Sequence, residues 1–261
     1  MANEPVGIRA RDLVRDACAA LTHDLAPGGD DIHAAVHAAR KAIRRLRAVL
    51  ALLQPSGLAL RGIDAALQAL GDGLSALRDA HVAVETAVRL STQATGLDWT
   101  RLIDALQERR AQLLAMALEH DPGFAQRRRI VATVATRLDA QDWNAVTIAD
   151  IRTALKRSRR RTAKAQQRAT ASADAADVHR WRRRVRRLWM QLDALERLGV
   201  DGDAAGAAGG QGSAARALHR ISDRLGNRQD LQMLGQRVAE MPAAASLPAL
   251  SAYLRKAAAD A

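Results

Sequence analysis

The sequence predicts an all-α protein, and three observations carry that reading. Alanine, leucine and valine supply the apolar mass of a chain that is 48% hydrophobic but only 2% aromatic. Ala and Leu are strong helix formers, and Val is the only common β-branched residue. No stretch sustains period-2 alternation, whereas apolar residues recur at helical spacing along the chain. The 261 residues suffice for one large domain or for two of about 130.

Breakers and caps divide the chain. A first helix runs from about Gly7 to Leu25, with Ile8, Leu13, Val14, Ala17, Cys18 and Leu21 as its stripe, and Pro27-Gly28-Gly29 ends it. Asp30 or Asp31 caps a second helix, which stops at Gln54-Pro55-Ser56-Gly57. A third spans Leu58 to Leu90, with an irregularity at Gly71-Asp72-Gly73, and a fourth spans Leu97 to Glu119. After the break Asp121-Pro122-Gly123, where proline suits a first turn, a fifth runs from Phe124 to Leu138. A second half begins near Asp142. Its helices cover Ile148–Thr170, Asp177–Leu198, Ser213–Glu240 and Leu247–Ala259, with a Gly/Ala loop over 199–212 and a stop at Pro242.

Charge narrows the partners. A formal net charge of +12 and a pI near 11.2 point to a polyanion: nucleic acid, an anionic membrane surface or polyphosphate. Cys18 is the single cysteine, so an intrachain disulfide and a cysteine-rich zinc site are excluded. No apolar leader opens the chain and no apolar run approaches a membrane span, so a cytoplasmic protein is expected.

The charge is concentrated. On the helix that starts VHAARKAIRRLRAVL at Val36, His37, Arg40, Arg44 and Arg47 share a sector of about 80°, flanked by Lys41 and Arg45. Val36, Ala39, Ile43, Leu46, Val49, Leu50 and Leu53 fall opposite. No acid stands between Asp31 and Asp64, although a solvated face ordinarily mixes signs. Such a face needs an anion from elsewhere; a merely solvated basic face is the plainer reading. A second acid-free run lies on the Ile148–Thr170 helix. There Arg152, Lys156 and Arg159 share about 60° and are expected to join the first cluster, with Arg157, Arg161 and Arg168 pointing elsewhere.

Both features repeat. VHRWRRRVRRLWMQL from Val178 copies the Val36 stretch at an offset of 142: His179 answers His37, Arg182 and Arg183 answer Arg40 and Lys41, and Arg186 and Arg187 answer Arg44 and Arg45. Downstream, LQALGDGLSALRDAHV from Leu67 is answered by LHRISDRLGNRQDLQM from Leu218. Leu67, Leu70, Leu74 and Asp79 pair with Leu218, Ile221, Leu225 and Asp230. Two linked motifs in the same order indicate a duplicated helical unit, with halves at about 1–140 and 141–261.

At these residues the chain resembles the CHAD domain, the conserved-histidine α-helical domain. The two His-xx-Arg-xxx-Arg-Arg helices and the motifs ending in Asp79 and Asp230 carry the resemblance, which spans nearly all 261 residues as one domain. The resemblance implies two helical bundles related by a pseudo-two-fold axis, with the basic helices lining a central groove or pore. It implies binding of inorganic polyphosphate and association with polyphosphate granules and their proteins. The chain departs from the pattern twice. Trp189 stands where Arg47 stands in the first copy, so the first wall is expected to carry more of the binding. His81 stands where the family often has an acid. Relatives often carry a triphosphate-tunnel domain in front; no sequence is left over for one here, so a binding protein is expected rather than an enzyme.

These residue types suit the ligand. Polyphosphate is charged on every repeat and offers no base edges to read, so recognition must be positional. Arginine stays charged and its planar fork grips two oxygens at once. The expected polyphosphate site is therefore His37, Arg40, Lys41, Arg44, Arg45, Arg47, Arg152, Lys156, Arg159, His179, Arg182, Arg183, Arg186 and Arg187. The histidines either donate to phosphate or pack between helices. Asp79 and Asp230 either orient arginines or are surface acids. No cofactor is expected. A metal at His33 and His37, one turn apart, would be repelled by the arginines and has no evident third ligand. Asp201 and Asp203 sit in a glycine loop, a poor place for an acid–base pair. Nucleic acid is the main alternative, disfavoured by the scarcity of aromatic stacking residues and the lack of a helix-turn-helix or zinc-finger spacing.

Overall fold

A computed structural model describes residues 4–26, 31–172, 174–200, 210–240 and 248–260. Among them the chain forms α1 (Val6–Asp24), α2 (Ile32–Leu53), α3 (Arg61–Asp72), α4 (Ser75–Ser91), α5 (Trp99–His120), α6 (Ala125–Asp139), α7 (Ile148–Ser172), α8 (Ala175–Arg197), α9 (Gly210–Glu240) and α10 (Pro248–Asp260), with no strand. The protein is all-α. No described helix is long and apolar enough to cross a membrane. Pro27-Gly28-Gly29, Asp30, Asp201, Asp203, most of the 199–212 loop and Pro242 lie outside the described residues.

Local chemistry explains the boundaries. Asp31 is the cap of α2, its carboxylate accepting from the His33 and Ala34 amides at 2.9 and 3.1 Å. Asp174 caps α8 in the same way, so that helix starts at Ala175 rather than Asp177. The helix expected over Leu58–Leu90 is two. Gly71-Asp72-Gly73 is a weak helical stretch, and the chain turns at Gly73 and Leu74, which sits at φ −101° and ψ 0°. Phe124 does not begin α6 but precedes it at φ 54°, while Asp121 accepts from the Gln126 and Arg127 amides at 2.7 and 3.2 Å.

The apolar face expected on α2 is buried throughout, from Val36 to Leu53. It belongs to a large core built by α1, α2, α3, α6, α7 and α8. A smaller core joins α4 and α5 to α9 and α10, through Val84, Leu90, Trp99 and Leu102 on one side and Leu231, Leu234, Val238 and Leu250 on the other. Each core thus draws on both sequence halves: the division near residue 140 is one of sequence and not of packing.

Helix contacts bring the four repeated motifs together. α2 packs on α4 and α8 on α9, within each half; α2 also packs on α8 and α4 on α9, copy against copy. The result is a ring of four helices. The α2–α8 contact is tight enough to bury Gln191 completely, and its amide donates to the Ala48 carbonyl at 3.3 Å.

Candidate anion-binding site

The ring encloses a cleft of about 760 Å³, to which all four helices contribute. α2 presents His37, Lys41 and Arg44; α4 presents Arg78 and Arg89; α8 presents Arg182, Arg186 and Trp189; α9 presents His219 and Asp230. Not all of these cations are equally available. Arg40, behind the wall, donates to the Gly71 carbonyl and, at 2.6 Å, to Ser75 Oγ, which ties α2 to the turn between α3 and α4. Arg182 is 8% exposed and donates to Gln229 Oε1 on α9, over Gly226. A Cβ at Gly226 would come within 3.1 Å of the Arg182 guanidinium, so glycine makes room for it. The first arginine of each copy is therefore a tie between helices.

Arg44 and Arg186 differ. Neither makes an ion pair among the described residues, and each lies near the other and near Arg78 and Arg182. Burial, and then these like charges, push Arg44 down to about 10 and Arg186 to about 9. Both stay protonated at neutral pH, so the charge is held at a cost. Asp79 and Asp230 sit close by. Asp79 Oδ1 is 2.7 Å from Arg78 Nη2. Burial raises the Asp230 carboxyl, against the pull of Arg182, Arg78 and Arg186. Glu85 and Asp223 also line the cleft, but they lie beside His81 and His219, and neither pairs with Arg44 or Arg186.

His37 is half-buried, and burial followed by the Arg44 charge depresses its pKa, so the ring is neutral at pH 7. His33 stacks on the buried His81 with centroids 5.7 Å apart, and His37 lies 6.5 Å from His81. His81 in turn approaches Glu85 at 3.4 Å. Among the described residues no group of three or more His, Cys, Asp or Glu is arranged to hold a metal. His179 is exposed, with Nδ1 3.3 Å from Gln229 Oε1. Trp189 packs edge-on against His219 at 4.5 Å, and His219 pairs with Asp223 at 2.7 Å.

The remaining expected residues disperse. Arg47 forms a two-pronged pair with Asp64 on α3, at 2.8 and 3.1 Å. Arg45 turns away, into a mixed cleft with Asp16, Asp24 and Asp193 between α1, α2 and α8. Arg183, Arg186 and Arg187 line a second cleft of about 520 Å³ beside α8, with Arg44, Arg47, His179, Arg180 and Arg184 and no carboxylate. On α7, Arg152 and Lys156 are exposed and Arg159 is half-buried. It is Arg157 and Arg161 that line a third cleft, where α7 faces α2, α3 and α8. The wheel set these two apart from Arg152, Lys156 and Arg159, and the side of α7 on which they stand is the one near α2 and α8. Sequence reasoning missed Arg78, although it stands in the quoted Leu77-Arg78-Asp79 motif. It also missed Arg180 and Arg184, which flank the copied arginines.

Residues 12–239 match the CHAD domain family. The chain belongs to that family. Its fold is similar to the crystal structure of the CHAD domain from the plant Ricinus communis, with a TM-score of 0.71 at 20% identity, covering 98% of this chain and 87% of that one. None of the curated proteins compared matches it. The two clefts that meet at Arg44 and Arg186 thus lie inside the CHAD domain of this chain, on the helices that carry its duplicated motifs.

Proposed function

We propose that this CHAD domain binds inorganic polyphosphate in the cleft between α2, α4, α8 and α9, as a cytoplasmic binding module at polyphosphate granules. The observation that carries the reading is the placement of Arg44 and Arg186, half-buried, charged and without an ion pair of their own among the described residues. A phosphate chain supplies the missing negative charge and accepts from both guanidinium forks, in a setting where burial strengthens each bond. Arg40, Arg182 and the carboxylates of Asp79 and Asp230 hold the walls in place. Arg78, Arg89, Lys41 and His37 surround the entry. Contrary to the expectation drawn from Trp189, we assign the greater share of binding to α8 and not to α2, because Asp64 pairs with Arg47 while Arg183, Arg186 and Arg187 make no ion pair among the described residues.

Nucleic acid is the less suitable polyanion. Trp99, Trp143 and Phe124 are at most 5% exposed, and both of those indoles donate to backbone carbonyls. Trp189 is the one Trp, Tyr or Phe lining the central cleft among the described residues, and it packs against His219, so the row of stacking platforms that single strands use is not formed there.

The test is positional. Arg44→Glu and Arg186→Glu each lower polyphosphate affinity by tenfold or more, the loss of about 1.5–3 kcal/mol expected for a bond to a charged group. Arg110→Glu on α5, which lines none of these clefts, has a small effect. Titration calorimetry at fixed salt reads all three; equal losses would mean diffuse attraction and no site.

A further inference from the structure

Resting on the polyphosphate reading of the arginines, we infer that one half of the central cleft is built for a nucleoside. The domain then also takes nucleoside polyphosphates, with the phosphates on Arg44 and Arg186 and the base in the corner between Trp189 and His219. The cleft is not uniform along its length. α9 runs through it as one stripe that presents Asp230, Gly226, Asp223 and His219 on successive turns. Asp230 has Arg182, Arg78 and Arg186 for neighbours, and the Arg182 guanidinium lies over Gly226. From Gly226 to His219 the helix advances about 10 Å. On α8 the lining changes within one turn, from Arg186 to Trp189 and Met190.

An inorganic phosphate chain has no use for this second half. The carboxylates of Asp223 on α9 and Glu85 on α4 repel it, and aromatic surface offers it nothing. A nucleoside matches each feature. The rings of Trp189 and His219 lie 4.5 Å apart with their planes at 66°, a corner in which a flat base stacks on one ring and meets the other edge-on. Asp223 holds the exposed His219 in place at 2.7 Å. Trp189 Nε1 is buried and meets no acceptor among the described residues, so the corner carries a donor without a partner. Arg89 donates to the side-chain oxygen of Asn227 at 3.1 Å, which leaves the Asn227 amide nitrogen to donate to a base edge. Asp223 and Glu85 are acceptors for ribose hydroxyls and exocyclic amino groups. A strand of nucleic acid needs a row of stacking platforms, whereas a mononucleotide needs one. The aligned position in the first copy is Arg47, so the second copy has exchanged a charge for a stacking surface.

The experiment compares adenosine triphosphate with tripolyphosphate on the full chain, by titration calorimetry at fixed salt and without divalent cations. Both ligands have the same number of phosphates and the inorganic one carries more charge, so tighter binding of the nucleotide reports the base. The wild type is expected to bind the nucleotide about tenfold or more tightly than tripolyphosphate. Trp189→Ala brings the two affinities together by weakening the nucleotide alone. His219→Ala, at an exposed position where folding is not at stake, narrows the gap in the same direction. Trp189→Arg weakens the nucleotide and strengthens tripolyphosphate. Equal or weaker binding of the nucleotide by the wild type, or a loss shared equally by both ligands in Trp189→Ala and His219→Ala, would overturn the nucleoside half. Failure of the wild type to bind long-chain polyphosphate would instead overturn the polyphosphate reading itself.

Discussion

Arg44 and Arg186 stand on different walls of the central cleft, each lowered by burial and then by neighbouring guanidinium groups, Arg78 and Arg182 among them, with His37 close to Arg44. This neighbourhood makes His37 a proton-linked reporter of binding. In the empty cleft, burial and Arg44 hold its pKa below the ordinary histidine value of 6.5. A bound phosphate chain favours the imidazolium and raises that pKa, so binding takes up a proton. Affinity therefore rises as pH falls through the range between the free and bound values, and is flat above it. His37→Gln removes this part of the dependence, by up to about tenfold for each unit of pKa difference. Titrations between pH of about 8 and about 5.5 read it; an identical pH slope in the variant would show that His37 does not sense the anion. Cys18 plays no comparable part: burial raises its thiol to about 11, which leaves it protonated and unreactive.

Helices place these residues through close contacts that propensity does not reveal. α1 approaches the 143–145 turn so closely that a Cβ at Gly7 would sit 1.8 Å from the Trp143 carbonyl oxygen. Gly7→Ala therefore forces α1 off its seat and costs about 1–3 kcal/mol, or about 2–4 °C in Tm per kcal/mol. Polyphosphate affinity at a temperature where the variant is folded stays the same; an unchanged Tm would contradict the packing. The α3–α4 break shows what the sequence could and could not reveal. The glycines at 71 and 73 marked the spot, but whether the helix bends or breaks there depends on Arg40 reaching the Gly71 carbonyl from another helix. The α2 stripe was legible because one helix buries one continuous face. The repeat was legible in residue types yet imperfect in burial: Leu70 is 3% exposed, whereas Ile221, its aligned counterpart, is 37% exposed. Arg47 and Arg45 belonged to the same basic face, but Asp64, distant in sequence, pairs with Arg47, and Arg45 lines a different cleft, with acids of α1 and α8. A helical wheel gives direction around one axis; it does not give the neighbour found there.

At the scale of the molecule, the net charge of +12 is organised around α8 and is not spread evenly over the surface. Two cores that each combine both sequence halves hold the four motif helices in a ring, so the cleft exists only when the whole chain folds. A cleft whose two central arginines have no ion pair of their own among the described residues favours a thin flexible polyanion that can reach both. Polyphosphate and DNA would both release counterions, so salt dependence alone does not separate them. Direct competition does. Long-chain polyphosphate is titrated into a complex of this domain with labelled duplex DNA, at fixed salt and matched phosphate concentration. The account predicts that polyphosphate displaces the DNA and that Arg186→Glu abolishes this advantage. Retention of the DNA against an excess of polyphosphate would contradict it.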